Sequence, residues 1–228
     1  LSMSARAMGY GVLSAIRKLM LALVFIAPAA QADEMTLIAL GDSLTAGYGL
    51  PDEEGFVPQL EAWLNANGAD VRVINAGVSG DTTSGGMMRI AWTLNGEPEV
   101  DALIIALGGN DLLRGIAPGY ARGNLRMMLE EATGRGLPVL LIGMEAPGNY
   151  GPEYKADFDA LYPELAEEFG VLHVGNFLGA LTTRDDMGAT LRDMMQPDGI
   201  HPNAKGVELI VKDLGPRVLD LLGKVEGS

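Results

Sequence analysis

Hydrophobic residues recur along the chain in short, β-branched runs that glycine and polar residues interrupt. Runs of this length that are apolar at nearly every position are typical of strands buried on both faces of a sheet. The pattern predicts strands over the ranges Thr36–Leu40, Val71–Asn75, Ala102–Leu107, Pro138–Met144 and Val171–Val174.

Longer segments with apolar residues at helical spacing lie between and after these runs. They predict helices over the ranges Val57–Asn67, Thr83–Leu94, Tyr120–Thr133, Tyr154–Phe169 and Ala204–Leu222. Alternation of strands and helices indicates an α/β protein whose parallel sheet is covered by helices on both faces. In such a sheet we expect the active site at the carboxyl ends of the strands.

The first 32 residues follow a different pattern. Basic residues precede the apolar run Leu19–Ala27, and Ala30-Gln31-Ala32 offers a cleavage site of small residues. This order predicts a secretory signal peptide over residues 1–32. A membrane anchor is the alternative, but the apolar run is shorter than the roughly 20 residues of a bilayer span. We therefore expect one exported domain, residues 33–228, that is periplasmic or secreted and has no stable membrane span.

Charge and cysteine content argue against several classes of protein. Residues 1–32 hold three of the 16 basic residues and none of the 30 acidic ones, so the remaining chain has a formal charge of −17. This balance argues against nucleic acids and anionic membranes as partners. With no cysteine and two histidines, we expect neither a disulfide nor a His/Cys metal site. No metal or organic cofactor is expected.

Polar, glycine-rich turns follow the first three predicted strands. They are Gly41-Asp42-Ser43, the segment 76–81 (AGVSGD) and the segment 108–111 (GGND). If the sheet is parallel, all three turns lie at one edge of it. A fourth polar segment, 198–202 (DGIHP), comes directly before the last predicted helix.

Ser43 and His201 suggest nucleophilic catalysis. A serine hydroxyl needs a base within hydrogen-bond reach, and that base needs a third group to orient it. His201 follows Asp198 by three residues in a loop rich in glycine and proline, so one turn could bring the carboxylate to Nδ1 and leave Nε2 for Ser43. Taken alone, the same spacing would arise from a helix-capping aspartate near a histidine. His173, in a predicted strand, is expected to be a core or strand-end residue.

Acyl transfer at a serine also needs donors for the developing oxyanion. Backbone amides in tight glycine turns suit this task, because no side chain blocks close approach. The amides of Ser43 and Gly80 and the side-chain amide of Asn110 could converge on one point. Each residue has an ordinary alternative, because glycine and asparagine are also common in turns.

Four blocks occur in a fixed order: GDSL at 41–44, Gly80 within NAGVSGDTT, GGND at 108–111 and DGIHP at 198–202. In this order they resemble the four signature blocks of the SGNH (GDSL) hydrolase family. The segments 108–115 (GGNDLLRG), 146–151 (APGNYG) and 161–171 (LYPELAEEFGV) are similar to the thioesterase I / protease I / lysophospholipase branch of that family, whose members are often described as arylesterases. The resemblance covers essentially all of residues 33–228.

The resemblance implies a fold and a set of residue roles. The implied fold is a flavodoxin-like, three-layer α/β/α sandwich with a five-stranded parallel sheet. Ser43 would be the nucleophile, His201 the general base and then acid, and Asp198 the residue that orients His201. The oxyanion hole would consist of the Ser43 amide, the Gly80 amide and the Asn110 side chain.

The same resemblance implies that the segments 111–115 and 147–150 flank the acyl pocket. The candidate pocket residues are Asp42, Leu112, Leu113, Pro147 and Tyr150. Leu112 and Leu113 make the first of these loops bulkier and more apolar than we would expect from the family, so the acyl-length preference is left open. A turn-fixing role is the alternative for Asp42, and Arg114 is expected to be a surface charge.

The predicted function is that of a monomeric serine esterase for aryl or acyl esters, with acyl thioesters and lysophospholipids as further candidate substrates. Two alternatives stay open. A carbohydrate O-acetyl-esterase could use the same triad, because fold and triad do not fix the substrate. A non-catalytic exported binding module could use the same fold. A metal-dependent phosphoesterase is disfavoured, since the histidines that such sites usually need are absent.

Overall fold

The computed structural model describes residues 34–226, and the predicted signal peptide lies outside them. Within this range one parallel sheet is formed by β1 (Met35–Gly41), β2 (Val71–Gly77), β3 (Ala102–Ala106), β4 (Val139–Ile142) and β5 (Leu172–Val174). The strand order is β2-β1-β3-β4-β5. The chain therefore reverses its progress across the sheet between β1 and β3, and ligands of doubly wound sheets bind at such a point.

Helices cover both faces of the sheet. They are α1 (Ser43–Ala46), α2 (Phe56–Ala66), α3 (Thr83–Gly96), α4 (Gly109–Leu113), α5 (Pro118–Gly134), α6 (Pro152–Phe169), α7 (Gly179–Thr182), α8 (Met187–Met194) and α9 (Ala204–Glu226). Helix α2 packs against α9, while α3 packs against α5 and α5 against α6. The predicted three-layer α/β/α sandwich is confirmed. No helix within residues 34–226 has both the length and the apolar composition that crossing a bilayer requires.

The predicted strands and long helices are all present, but the prediction that every strand is buried on both faces is wrong at the edges of the sheet. The central strands β1, β3 and β4 are almost wholly buried. Strand β2 mixes buried and exposed residues, and β5 is half-buried throughout. The reason is their place in the sheet, because each edge strand has a neighbouring strand on one side only.

Burial of the central strands holds the beginnings of the loops at their carboxyl ends in fixed positions. The run Leu37–Leu40 in β1 is completely buried, and each such leucine or isoleucine side chain contributes about 1.5–3 kcal/mol. The first polar residue after this run is Asp42, immediately beyond the strand. The loops therefore start from fixed points at the edge of the sheet.

A glycine lets α1 pack directly on the end of β2. A methyl group added at Gly77 would overlap the backbone of Ala46 and lie 2.9 Å from the carbonyl oxygen of Asp42. Both neighbours are backbone atoms, so no side-chain rotation could make room. This close approach fixes the position of α1, whose first residue is Ser43.

Candidate active site

The imidazole ring of His201 lies between the hydroxyl group of Ser43, at the start of α1, and the carboxylate of Asp198. Nε2 of His201 lies 2.8 Å from Oγ of Ser43, and Nδ1 of the same ring lies 2.7 Å from Oδ2 of Asp198. Both separations are hydrogen-bond distances. The structure thus brings together three residues, of which the first, Ser43, and the last, His201, are 158 positions apart in sequence.

Asp198 is held in a tight turn that it builds itself. Its Oδ1 accepts hydrogen bonds from the backbone N–H groups of Ile200, at 2.9 Å, and His201, at 3.0 Å. The side-chain hydrogen bond from His201, reinforced by these backbone donors, lowers the pKa of Asp198 to about 2. A carboxylate acceptor beside Nδ1 favours the tautomer that carries its proton there, which leaves the Nε2 lone pair directed at Ser43.

Gln196 forms hydrogen bonds that connect the loop of His201 to the segment after α1. Its backbone N–H donates to the carbonyl oxygen of His201 at 2.8 Å. Its side-chain Nε2 donates to the carbonyl oxygens of Tyr48, at 2.8 Å, and Pro202, at 3.0 Å. The Tyr48 ring also lies against the imidazole of His201, with 4.7 Å between ring centroids. Sequence reasoning missed both residues; only Tyr48, close to Ser43 in a glycine-rich turn, offered a signal.

Asp42 joins the serine turn to the turn after β3. It is 2% exposed, and its Oδ1 caps α1 by accepting from the Leu44 N–H at 3.0 Å. Its Oδ2 accepts from Nδ2 of Asn110 at 3.3 Å. Burial raises the pKa of Asp42 to about 6, against the lowering effect of these two hydrogen bonds. Asp42 therefore fixes the turn and also orients the amide of Asn110.

The next residue after Asn110 is a second buried carboxylate. Asp111 accepts from the backbone N–H of Thr83 at 2.8 Å and from its hydroxyl at 2.7 Å. Burial raises the pKa of Asp111. These bonds tie α4 to the first residue of α3, so Asn110 is held from both sides.

Gly80 lies in the exposed loop after β2 and has a φ of +84°, a conformation that glycine adopts without strain. Within the described part of the chain, the backbone N–H groups of Ser43 and Gly80 donate to no protein acceptor. The carbonyl oxygen of Gly80 accepts from Nη2 of Arg114 at 2.7 Å. Arg114 is exposed, as expected, but it also bridges two loops of the site.

A cavity of about 470 Å³ opens beside Ser43. All the candidate pocket residues line it, namely Asp42, Leu112, Leu113, Pro147 and Tyr150, together with Ser43, Asn110 and His201. Gly80 is not among its lining residues in the described range. The sequence did not single out the apolar lining residues Met144, Ala146 and Leu178. They follow β4 and β5 in the structure, but the predicted strand had included Met144. The lining is mainly apolar and suits a hydrocarbon chain.

Metal binding and the second histidine are two other candidate sources of chemistry in the sequence. Residues 34–226 contain no cluster of three or more His, Asp or Glu side chains that could hold a metal ion. The second histidine, His173, lies in β5, where burial lowers its pKa. Its Nε2 is buried and has no hydrogen-bond partner among the described residues, and His173 does not line the cavity.

The chain is similar to known proteins along most of its length. Residues 39–209 match the GDSL-like Lipase/Acylhydrolase family. Esterase TesA of Pseudomonas aeruginosa is 38% identical over 192 residues, which cover 84% of this chain and 92% of that protein. Thioesterase 1/protease 1/lysophospholipase L1 of Escherichia coli (strain K12) is 34% identical over 197 residues, covering 86% and 84% of the two chains. The crystal structure of AlinE4, an SGNH-hydrolase family esterase, matches with a TM-score of 0.68 and 43% identity, covering 85% of this chain and 99% of that one.

The family match spans both the loop of Ser43 and the loop of His201, and it covers most of the chain. The curated relative from Pseudomonas aeruginosa and the solved structure are both esterases by name. The chain therefore belongs to the GDSL-like lipase/acylhydrolase family and is a carboxylic ester hydrolase.

Proposed function

We propose that Ser43 is the nucleophile of a Ser-His-Asp triad that forms an acyl-enzyme. The observation that carries this proposal is the placement of the His201 ring, 2.8 Å from Ser43 Oγ and 2.7 Å from Asp198 Oδ2. Nε2 of His201 takes the hydroxyl proton as Ser43 attacks the carbonyl carbon, and then gives it to the leaving alcohol or thiol. Water activated by the same nitrogen hydrolyses the acyl-enzyme. Asp198 keeps the ring oriented and stabilises its protonated form.

The oxyanion hole of this proposal has three donors. They are the backbone N–H groups of Ser43 and Gly80 and the Nδ2 group of Asn110. Preorganised donors of this kind stabilise charge that develops only in the transition state. The bond from Asn110 to Asp42 supports this role, because it fixes the amide before substrate arrives.

The cavity supports an acyl ester as the substrate. Its volume of about 470 Å³ lies in the range of pockets that enclose whole small molecules, and an acetyl group would leave most of it empty. This favours acyl or aryl esters over the O-acetyl groups of a carbohydrate. The name of the Escherichia coli relative includes thioesterase and lysophospholipase, so we propose acyl thioesters and lysophospholipids as further substrates.

We further propose that residues 1–32 are a signal peptide and that residues 33–228 act as a monomeric esterase domain in the periplasm or outside the cell. The leader pattern supports export, and a chain without cysteine tolerates an oxidising compartment without forming disulfides. The partners of the enzyme would be its small-molecule substrates.

A panel of p-nitrophenyl esters from acetate to dodecanoate tests the function, with lysophosphatidylcholine and an O-acetylated glycan assayed in parallel. We expect kcat/KM to rise with acyl length beyond acetate, because longer chains occupy more of the apolar cavity. Ser43→Ala should lower kcat by about 10⁴-fold or more while the protein stays folded. Ser84→Ala, an exposed serine on α3, is the matched control and should retain activity. Preference for acetyl esters of glycans with no action on longer chains would instead favour an O-acetyl-esterase.

A further inference from the structure

Arg89, on α3, donates hydrogen bonds to three residues at or just beyond the carboxyl ends of β1 and β2. Its Nε donates to Oδ2 of Asp81 at 2.7 Å, its Nη1 to the carbonyl oxygen of Ala76 at 2.8 Å and its Nη2 to the carbonyl oxygen of Gly41 at 2.9 Å. The side chains of Arg89 and Asp81 are 19% and 18% exposed. A charge-assisted pair so sheltered from water is stronger than one on the open surface.

These three partners lie next to the proposed oxyanion donors. Gly41 is the last residue of β1 and precedes Ser43 by two positions, while Asp81 follows Gly80 directly. Ala76 lies in β2, beside β1 in the sheet. The guanidinium of Arg89 therefore connects the carboxyl ends of the neighbouring strands β1 and β2.

We infer that Arg89 is a positioning residue that holds the Ser43 and Gly80 amides at the separation an oxyanion requires, an inference that rests on the proposed function. Arg89 reaches neither the cavity nor the reacting atoms, since it is not one of the cavity's lining residues in the described range. Arg89 instead fixes the backbone segments that carry the two amides.

The chemistry of arginine suits this task. The guanidinium is planar, stays charged at all relevant pH values and presents five N–H donors in a rigid fork. Lysine offers a single ammonium on a flexible stem and cannot reproduce three bonds in one plane. Oxyanion donors must lie within about 2.7–3.1 Å of the charge, and a displacement of about 1 Å can lower the rate about 100-fold.

The Gly80 loop is also held from its other side. Arg114 donates to the carbonyl oxygen of Gly80 at 2.7 Å, and the N–H of Asp81 donates to the carbonyl oxygen of Val78 at 3.0 Å. The loop is exposed, and the backbone N–H of Val78 ties it to the end of β1 by donating to the carbonyl oxygen of Gly41 at 3.0 Å. The hydrogen bond that Arg89 donates to Asp81 holds the loop at a second point, directly after Gly80.

The test compares Arg89→Gln and Arg89→Lys with a matched control, Arg122→Gln. Arg122 pairs with Glu164 at 2.7 Å between α5 and α6, so its variant loses a partly exposed ion pair that touches none of the loops. Each protein is titrated with a fluorophosphonate to count active sites, and kcat and KM are measured with p-nitrophenyl butyrate. Inhibition by an alkyl trifluoromethyl ketone, whose serine adduct carries an oxyanion, supplies a readout that a purely structural role would not change.

For Arg89→Gln we expect kcat per titrated site to fall about 10- to 100-fold, with KM changed by less than about threefold because ground-state binding is untouched. The inhibition constant of the trifluoromethyl ketone should rise by the factor by which kcat/KM falls. Arg89→Lys should recover thermal stability but not kcat, and Arg122→Gln should keep both kcat and the inhibition constant.

Unchanged kcat and inhibitor affinity in folded Arg89→Gln, with only a lower melting temperature, would overturn the inference. If Arg89→Gln does not fold, Asp81→Asn decides: a reduced kcat with matching loss of inhibitor affinity supports the positioning role, and wild-type values refute it. Ser43→Ala is measured alongside. Activity in Ser43→Ala would refute the proposed function itself, whereas inactive Ser43→Ala with unaffected Arg89 variants would refute only the positioning role.

Discussion

Two carboxylates within the site have opposite environments. Asp198 lies at the surface and accepts hydrogen bonds from His201 and Ile200, so its pKa is lowered to about 2. Asp42 is almost fully buried, and desolvation raises its pKa to about 6. In the proposed mechanism this difference suits two tasks: Asp198 stays charged beside the histidine, while Asp42 holds the serine turn and the Asn110 amide.

The raised pKa of Asp42 predicts a pH-dependent cost to stability. A group whose pKa is higher in the folded state favours folding while protonated, and that contribution is lost as pH rises from about 3.8 toward 6 and stays lost above it. From pH 5 to pH 8 the wild type should lose about 1.4 kcal/mol through Asp42 alone. Asp42→Asn should not show this part of the loss.

Urea unfolding of wild type and Asp42→Asn at pH 5 and pH 8 measures the difference. Asp157→Asn, which removes an exposed carboxylate on α6, controls for the loss of one negative charge. The same pH dependence in wild type and Asp42→Asn would show that Asp42 titrates as it does in the unfolded chain.

At the scale of elements, the site depends on how closely the short helix α1 approaches the sheet. The backbone of Ala46 leaves no room for a side chain on Gly77. A rigid backbone contact of this kind transmits any shift of β2 directly to α1. The packing of these two elements therefore sets the position of Ser43 together with the hydrogen bonds of Asp42.

Gly77→Ala should destabilise the protein by about 1–3 kcal/mol, as overpacking does, and should lower kcat per titrated site because α1 must move. Gly123→Ala is the matched control. Gly123 lies inside α5, and a methyl group there would meet nothing within 4 Å, so this variant should gain about 0.5–1 kcal/mol. Thermal unfolding and active-site titration measure both variants; a Gly77→Ala protein as stable and active as wild type would contradict the close-packing account.

The sequence predicted the long elements because their periodicity extends over many residues. It did not predict α1, α4, α7 or α8, which are too short to show a helical repeat. The exposure of β2 and β5 was also missed, since strand order is not visible in the local pattern. Ser43, Asn110 and Asp198 could be singled out because each stands in a polar turn near the end of an element. Arg89 and Gln196 could not, because most of their partners are backbone carbonyls, which no side-chain motif in the sequence reveals.

At the scale of the whole molecule, the balance of charge bears on substrate choice. Beyond residues 1–32 the chain is formally −17, and Glu145 lies on the wall of the cavity. A negative field repels anionic substrates and leaves neutral ones unaffected. Acyl-CoA, with its phosphates, should therefore encounter a barrier that a neutral aryl ester does not.

This field predicts an effect of salt on KM. Raising ionic strength from about 0.01 to 0.15 M shortens the Debye length from about 30 to about 8 Å, so KM for an acyl-CoA should fall while KM for a p-nitrophenyl ester of the same acyl length should not. Steady-state kinetics at constant pH compares the two substrates. Equal salt responses of the two KM values would contradict the electrostatic argument.

In the proposed mechanism Ser43 carries the acyl group, and covalent labelling identifies the residue that does so. A fluorophosphonate incubated with the protein should add one adduct per chain, and mass spectrometry of the digested protein should locate it on Ser43, with no adduct formed in Ser43→Ala. An adduct on a different serine, or full labelling of Ser43→Ala, would show that Ser43 is not the nucleophile.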